Sequence, residues 1–149
     1  MKTEKPICQL LGQVTRLYKN KLFARFKKKD VDITFEQFAI LSSLNSGKEF
    51  TQQDLANQMH KDKSIILRQI NVLIDKNYIK RTQNEQDKRK KTLILTDEGF
   101  KTLEQAQNLV QNVLDELLVG ISEDELSVFR HVLEKIQENS EPNDSNCQC

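Results

Sequence analysis

The stretch "NEQDKRKKTLILTDEG", residues 84–99, decides how this chain folds. It mixes acids with bases and runs into four consecutive bases, Lys88, Arg89, Lys90 and Lys91. A short apolar run, Thr92-Leu93-Ile94-Leu95, follows without Gly or Pro and reaches Thr96-Asp97-Glu98-Gly99. Positive charge set against a strand can be a solvated hairpin tip that keeps an edge from pairing with other chains. It can equally be a contact with something negatively charged. The neighbouring segments separate the two readings.

Just upstream, "YIKRTQ" reads as the partner strand, so the bases occupy a hairpin tip. Before it, Asp62 is expected to cap a helix running from Ser64 to about Lys76, with Ile66, Ile70, Leu73 and Ile74 on one stripe. Asn77 stands where a helix often ends on a left-handed residue. Two earlier helices open on the caps Thr34-Phe35-Glu36-Gln37 and Thr51-Gln52-Gln53-Asp54. A long first helix starts from Ile7 with Pro6 at its first turn. It carries Leu10, Val14, Leu17, Phe23 and Phe26 and closes on Lys27-Lys28-Lys29, bases that suit a helix C-terminus.

Downstream, Thr96 and Ser122-Glu123-Asp124-Glu125 cap two further helices. One carries Phe100, Leu103, Ala106, Leu109 and Val113, the other Leu126, Phe129, Leu133 and Ile136. "SEPNDSNCQC", from Ser140, reads as disordered. Four helices, two strands and two helices make a mainly α fold with a small β-hairpin, a winged helix-turn-helix. Residues 34–96 form its expected lobe, 1–33 and 97–139 a helical dimerisation region, and 140–149 a flexible tail.

Composition agrees. The 149 residues suffice for one domain with a real core, and four Gly and two Pro are too few for an all-β design. No run approaches the roughly 18 apolar residues of a membrane span, and "MKTEKPICQLLGQ" has no signal-peptide pattern. Cys8, Cys147 and Cys149 show neither zinc spacing nor a disulfide framework. A cytoplasmic protein without metal or cofactor is expected.

The net charge of +1 hides a division: +4 over residues 1–59, +6 over 60–91 and −9 over 92–149. A basic island in the middle of a chain that ends acidic is an argument about partners.

In a helix-turn-helix the second helix enters the DNA major groove. Opposite the apolar stripe of residues 64–76 lie Ser64, Arg68, Asn71 and Asp75, with Ile65 and Val72 on one flank. Lys63, Ser64, Ile65 and Arg68 are the candidate contacts: hydroxyl or ammonium to phosphate, guanidinium to guanine, methyl to thymine. Lys88, Arg89, Lys90 and Lys91 would reach the flanking backbone or minor groove. Asp87 either balances charge or holds the Arg89 guanidinium by a charge-assisted hydrogen bond.

The run Asp87-x-Arg89-x-x-x-Leu93-x-Leu95-Thr96-x-x-Gly99 resembles the wing signature of the MarR (multiple antibiotic resistance regulator) family. "SIILRQINVLIDKNYIKR" is similar to that family's recognition helix and following strand, with Asn77 where Gly is usual. The resemblance spans roughly residues 7 to 138. It implies a homodimer interlocked through the first and last two helices, an inverted-repeat double-stranded DNA operator, and Arg89 in the minor groove supported by Asp87. It also implies a repressor released by a small-molecule effector.

Two other functions compete. One subgroup of the family senses peroxide through a cysteine early in the first helix. Cys8 sits near that place with Tyr18 a possible neighbour, whereas a half-buried packing cysteine is the plainer reading. A winged helix can also be a protein-interaction module, which predicts no basic groove face. An enzyme finds no support: no phosphate loop, nucleophile elbow or paired-carboxylate motif appears, and His60 reads as a helix-end residue.

Overall fold

The computed structural model describes residues 4–140, and its elements follow in the expected order. They are α1 (Ile7–Lys28), α2 (Phe35–Leu44), α3 (Gln52–Gln58), α4 (Lys63–Asp75), β1 (Ile79–Gln83), β2 (Lys91–Leu95), α5 (Asp97–Leu117) and α6 (Glu123–Ser140). Backbone contacts divide the chain into one unit up to Leu114 and another from Asp115.

Local chemistry sets the helix ends. Thr34 and Thr51 each complete a reciprocal capping box, with Gln37 and Asp54 as the returning partners. Ser122 does the same with Glu125, accepting its N–H at 3.2 Å while Glu125 takes the Ser122 N–H at 2.8 Å. Asp62 departs from expectation: it occupies the N-cap of α4, but its side chain makes no capping hydrogen bond. Pro6 is likewise an N-cap residue, one position before the helix.

At their C-termini α1, α3 and α4 share one solution. Asp30, His60 and Asn77 adopt φ of 55°, 50° and 61°. In each case the next N–H bonds back to the last buried turn: Val31 to Phe26 O, Lys61 to Ala56 O and Tyr78 to Leu73 O, at 2.9 to 3.1 Å. These are Schellman closures made without glycine. The Asn77 expectation holds. Ser140, expected to start the tail, is instead the last residue of α6; residues 141–149, with Cys147 and Cys149, lie outside the described residues.

The core of the first unit gathers Leu22 and Phe26 of α1, Ile40 and Leu41 of α2, and Leu55 of α3 around Ile66, Ile70 and Leu73 of α4. Ile79 and Leu93 close it from the hairpin, and Leu103 and Ala106 from α5. Of the expected α1 stripe, Phe26 is buried, but Leu10, Val14, Leu17 and Phe23 are exposed. The stripe changes role along the helix, packing inward only near its end.

The strands pair antiparallel from Ile79↔Leu95 to Gln83↔Lys91, with Thr82 and Thr92 hydroxyls 3.0 Å apart. Phe50 adds a single bridge, its carbonyl accepting the Leu93 N–H at 2.9 Å. The hairpin is therefore anchored to the loop before α3 as well as to α4.

One junction holds α4, the hairpin and α5 together. Thr96 accepts the Gly99 N–H through Oγ1 at 3.0 Å, and its own hydroxyl donates to the Asn77 carbonyl. The Thr96 N–H bonds the Tyr78 carbonyl at 3.0 Å. Gly99 lies so close that a Cβ there would overlap the Tyr78 carbonyl oxygen and stand 2.7 Å from its carbon. Because the obstacle is backbone, it cannot swing aside. Gly99→Ala is expected to destabilise the fold by about 1–3 kcal/mol or more, as overpacking does, read as a lower urea midpoint at unchanged slope.

Candidate nucleic-acid interface

The apolar stripe of α4 aims the rest of the helix outward. With Ile66, Ile70 and Leu73 buried, Lys63, Ser64, Ile65 and Arg68 are all exposed on its first two turns, Ile65 at 41%. The opposing arrangement follows from a rotation of about 100° per residue. Ile74, expected on the buried stripe, is half-buried. The Asp62 side chain leaves the α4 N-terminus uncapped, with exposed Lys61 and Lys63 beside it, a combination suited to phosphate.

Two side-chain contacts fix the orientation of α4. Buried Gln37, already engaged in the α2 capping box, donates through Nε2 to Gln69 Oε1 at 2.9 Å. Lys76 binds Asp32 twice, its Nζ 2.7 Å from the carbonyl and 3.1 Å from the carboxylate. Helix α4 is thus tied at its middle to the first turn of α2 and at its end to the segment joining α1 and α2.

The tip between the strands is a closed turn. Asn84 Oδ1 accepts the N–H groups of Gln86 at 2.8 Å and Asp87 at 3.4 Å. The Asp87 carbonyl takes the Lys90 N–H, and the Lys90 carbonyl the Asn84 N–H, both at 3.0 Å. Asn84 Nδ2 ties the loop to Glu49 at 3.0 Å. Outside this ring of bonds Lys88, Arg89, Lys90 and Lys91 are exposed.

Asp87 braces Arg89, but not in the expected way. Its Oδ1 accepts the Arg89 backbone N–H at 3.0 Å, leaving the guanidinium exposed and clear of that carboxylate. The spacing of two residues explains this: a short carboxylate reaches the N–H two positions on more readily than the end of a long side chain.

Lys90 also registers at α3. Hydrogen bonds from the Thr51 backbone and hydroxyl hold the Asp54 carboxyl below the ordinary carboxylate range, and the positive charge of Lys90 lowers it further. The tip therefore lies within electrostatic reach of the helix-turn-helix.

Arg81 was not among the sequence candidates. On β1 it donates through Nη2 to Asn71 Oδ1 on α4 at 3.2 Å, linking strand and helix across their exposed sides. Ten residues and a helix end separate the two, and no periodicity announces such a pair.

Cys8 is exposed, where a half-buried position was expected. Tyr18 is not its neighbour: ten residues along α1 place it about 15 Å away, edge-on to the Phe35 ring with centroids 6.1 Å apart. Burial pushes the Tyr18 phenol above its ordinary range. His60 is the left-handed closing residue of α3, as expected of a helix-end histidine. Among the described residues no group of His, Cys, Asp or Glu is placed to hold a metal ion, and no helix is long and apolar enough to cross a membrane.

If Asp87 and Asn84 order the tip, Asp87→Ala is expected to speed amide hydrogen exchange at Arg89 and Lys90 while leaving β1 protected. Unchanged exchange at Arg89 would mean that the carboxylate does not hold the turn.

The MarR family model matches residues 33–91, the segment from the start of α2 to the wing. The chain is 30% identical over 107 residues to the multiple antibiotic resistance protein MarR of Escherichia coli, covering 71% of this chain and 74% of that protein. It is 28% identical over 110 residues to the transcriptional regulator SarA of Staphylococcus aureus, covering 72% and 86%. In three dimensions it resembles apo MarR from E. coli with a TM-score of 0.73 at 27% identity, covering 90% of this chain and 98% of that one. The likeness to a cysteine-to-serine mutant of MarR complexed with operator DNA gives a TM-score of 0.77 at 27% identity, covering 88% and 93%. A buried α4 stripe with an exposed polar face, a basic wing one strand later and these likenesses together establish that this chain belongs to the MarR family of winged helix-turn-helix, DNA-binding transcriptional regulators.

Proposed function

We propose that the protein is a homodimeric repressor that binds an inverted-repeat operator and is released by a small-molecule signal. The observation that carries the DNA contact is the shared exposure of Lys63, Ser64, Ile65 and Arg68 on α4 with Lys88, Arg89, Lys90 and Lys91 on the wing. In this reading Arg68 and Ile65 read base edges in the major groove, while Ser64 and Lys63 meet phosphates. Arg89 enters the flanking minor groove from a turn that Asp87 holds in shape, and the neighbouring lysines meet the backbone. Residues 34–96 make the DNA-binding lobe. A protein-interaction module would have no use for so many exposed bases on these two elements.

Residues 1–33 and 97–139 are assigned to dimerisation on the strength of uncovered apolar surface. On α1, Ile7, Leu10, Val14 and Leu17 are exposed. Along its 18 residues α6 buries none, and Val128, Phe129, Val132 and Ile136 remain open. Apolar patches on this scale mark interaction surfaces. A second copy of the chain would cover them, and the −9 charge of residues 92–149 disfavours contact of α5 and α6 with DNA.

For the effector, a cavity of about 500 Å³ opens among Phe23, Phe26, Val31, Asp32, Gln37 and Lys76. Its walls include the Lys76–Asp32 pair and Gln37, the two attachments of α4. An amphipathic molecule there could loosen both and so re-aim the recognition helix. A second reading uses Cys8, whose exposure leaves its thiol open to oxidants. It requires peroxide to release the parent protein but not Cys8→Ser from DNA.

Binding to a duplex is expected to weaken steeply with salt as phosphate contacts release counterions. Arg68→Ala should cost about 1–3 kcal/mol and relax one base position, whereas Lys90→Ala should weaken all sequences alike and lower the salt slope by about one. Affinity that stays flat between low and moderate salt would contradict the proposal. For the dimer, Val128→Glu with Phe129→Glu should shift sedimentation from dimer to monomer; an unchanged dimer would place the interface elsewhere.

A further inference from the structure

We propose that Arg81 is a positioning residue for DNA sequence specificity, turning Asn71 into a hydrogen-bond donor toward one base of the site. The inference rests on the reading of α4 as the helix that enters the major groove. Asn71 is exposed, in the third turn of α4, on the outward side shared with Ser64 and Arg68. Arg81 is exposed on β1 beside it and donates from Nη2 to Asn71 Oδ1 at 3.2 Å.

A guanidinium carries donors and no acceptor, so the Asn71 atom that faces it is the amide oxygen. The contact thereby sets which way round the amide sits. Its oxygen is engaged toward the wing strand, and its NH₂ is left to meet the groove.

That orientation has a consequence for base reading. An unconstrained asparagine suits adenine, donating to N7 and accepting from the N6 amino group in a bidentate pair. Oδ1 keeps a second lone pair, but a donor reaching it approaches beside the positive guanidinium, which makes the adenine N6–H the weaker partner. Acceptor edges are favoured instead: guanine offers O6 and N7, and thymine offers O4. Asn71 therefore selects guanine or thymine over adenine, and Arg81 acts through it rather than on the base. Arg81 also carries charge toward the phosphates, a contribution independent of sequence.

The test is selection from a pool of duplexes with a randomised central stretch, applied to the parent, Arg81→Ala, Asn71→Ala, Asn71→Asp and the Arg81→Ala/Asn71→Ala double variant. Both side chains are exposed, so circular dichroism is expected to show the parental fold in all five. The parent should enrich a site in which guanine or thymine exceeds adenine at one position of each half. Arg81→Ala should raise the adenine share there by about five-fold or more, the discrimination of one good base contact. Asn71→Asp, which keeps an oxygen for Arg81 but has no N–H to give, should lose the guanine or thymine preference.

In the Asn71→Ala background, removing Arg81 should weaken binding uniformly and leave base frequencies alone. Equal base frequencies for the parent and Arg81→Ala would overturn the proposal, as would the same shift persisting without Asn71. A parent that enriches no sequence would overturn the DNA-binding reading itself, and this inference with it.

Discussion

The approach of Gly99 to the Tyr78 backbone, sealed by Thr96, is the constraint on which the binding surface depends. Four things meet there: the closing residue of α4, the residue leading into β1, the end of β2 and the first turn of α5. A side chain at position 99 would push α5 away from the strand, and Thr96 could not then bond both Asn77 and Tyr78. Since α4 and the wing both leave from this junction, their mutual placement is set there by the close backbone approach and the short Thr96 side chain, with the Gln37–Gln69 and Lys76–Asp32 contacts holding α4 from its other side. Long side chains are then added to a base that is already rigid, which limits the ordering entropy lost on binding.

Charge is distributed to match. The basic island of residues 60–91 falls on α4, the strands and the wing tip, the elements organised by that junction. The acidic third falls on α5 and α6, where Asp97, Glu98, Glu123, Asp124 and Glu125 also favour the helix N-termini they occupy. The same carboxylates thus start helices and disfavour contact of those helices with a polyanion. The wing tip repeats this economy on a small scale: Asn84 Oδ1 and Asp87 Oδ1 accept backbone N–H groups and so shape the turn from which the exposed cations project.

Much of this was legible in the sequence because the signals are local. Thr34 and Thr51 announce their helices through partners three residues away, and Asn77 ends α4 where its tolerance of positive φ predicts. The wing motif was readable as a pattern, but not the reason for its last residue, since Gly99 answers to Tyr78 across a chain reversal. Asp62 shows that a residue type suited to capping does not guarantee the bond. Asp87 was identified and its target was not, because residue types at a spacing of two do not distinguish a bond to the side chain from one to its backbone N–H. Arg81 and Asn71 were out of reach for a different reason: their contact depends on how a strand leaves a helix, a geometry set by the junction rather than by spacing.

The central claim is that α4 and the wing tip meet DNA as one surface while the acidic helices stay clear of it. Lysine acetylation footprinting, with and without a duplex at low ionic strength, tests this directly because lysines are spread along the chain. The account predicts slowed modification at Lys63, Lys88, Lys90 and Lys91, with Lys101 on α5 and Lys135 on α6 reacting as in the free protein. Protection of Lys101 and Lys135, or full reactivity at the wing lysines under saturating duplex, would contradict it.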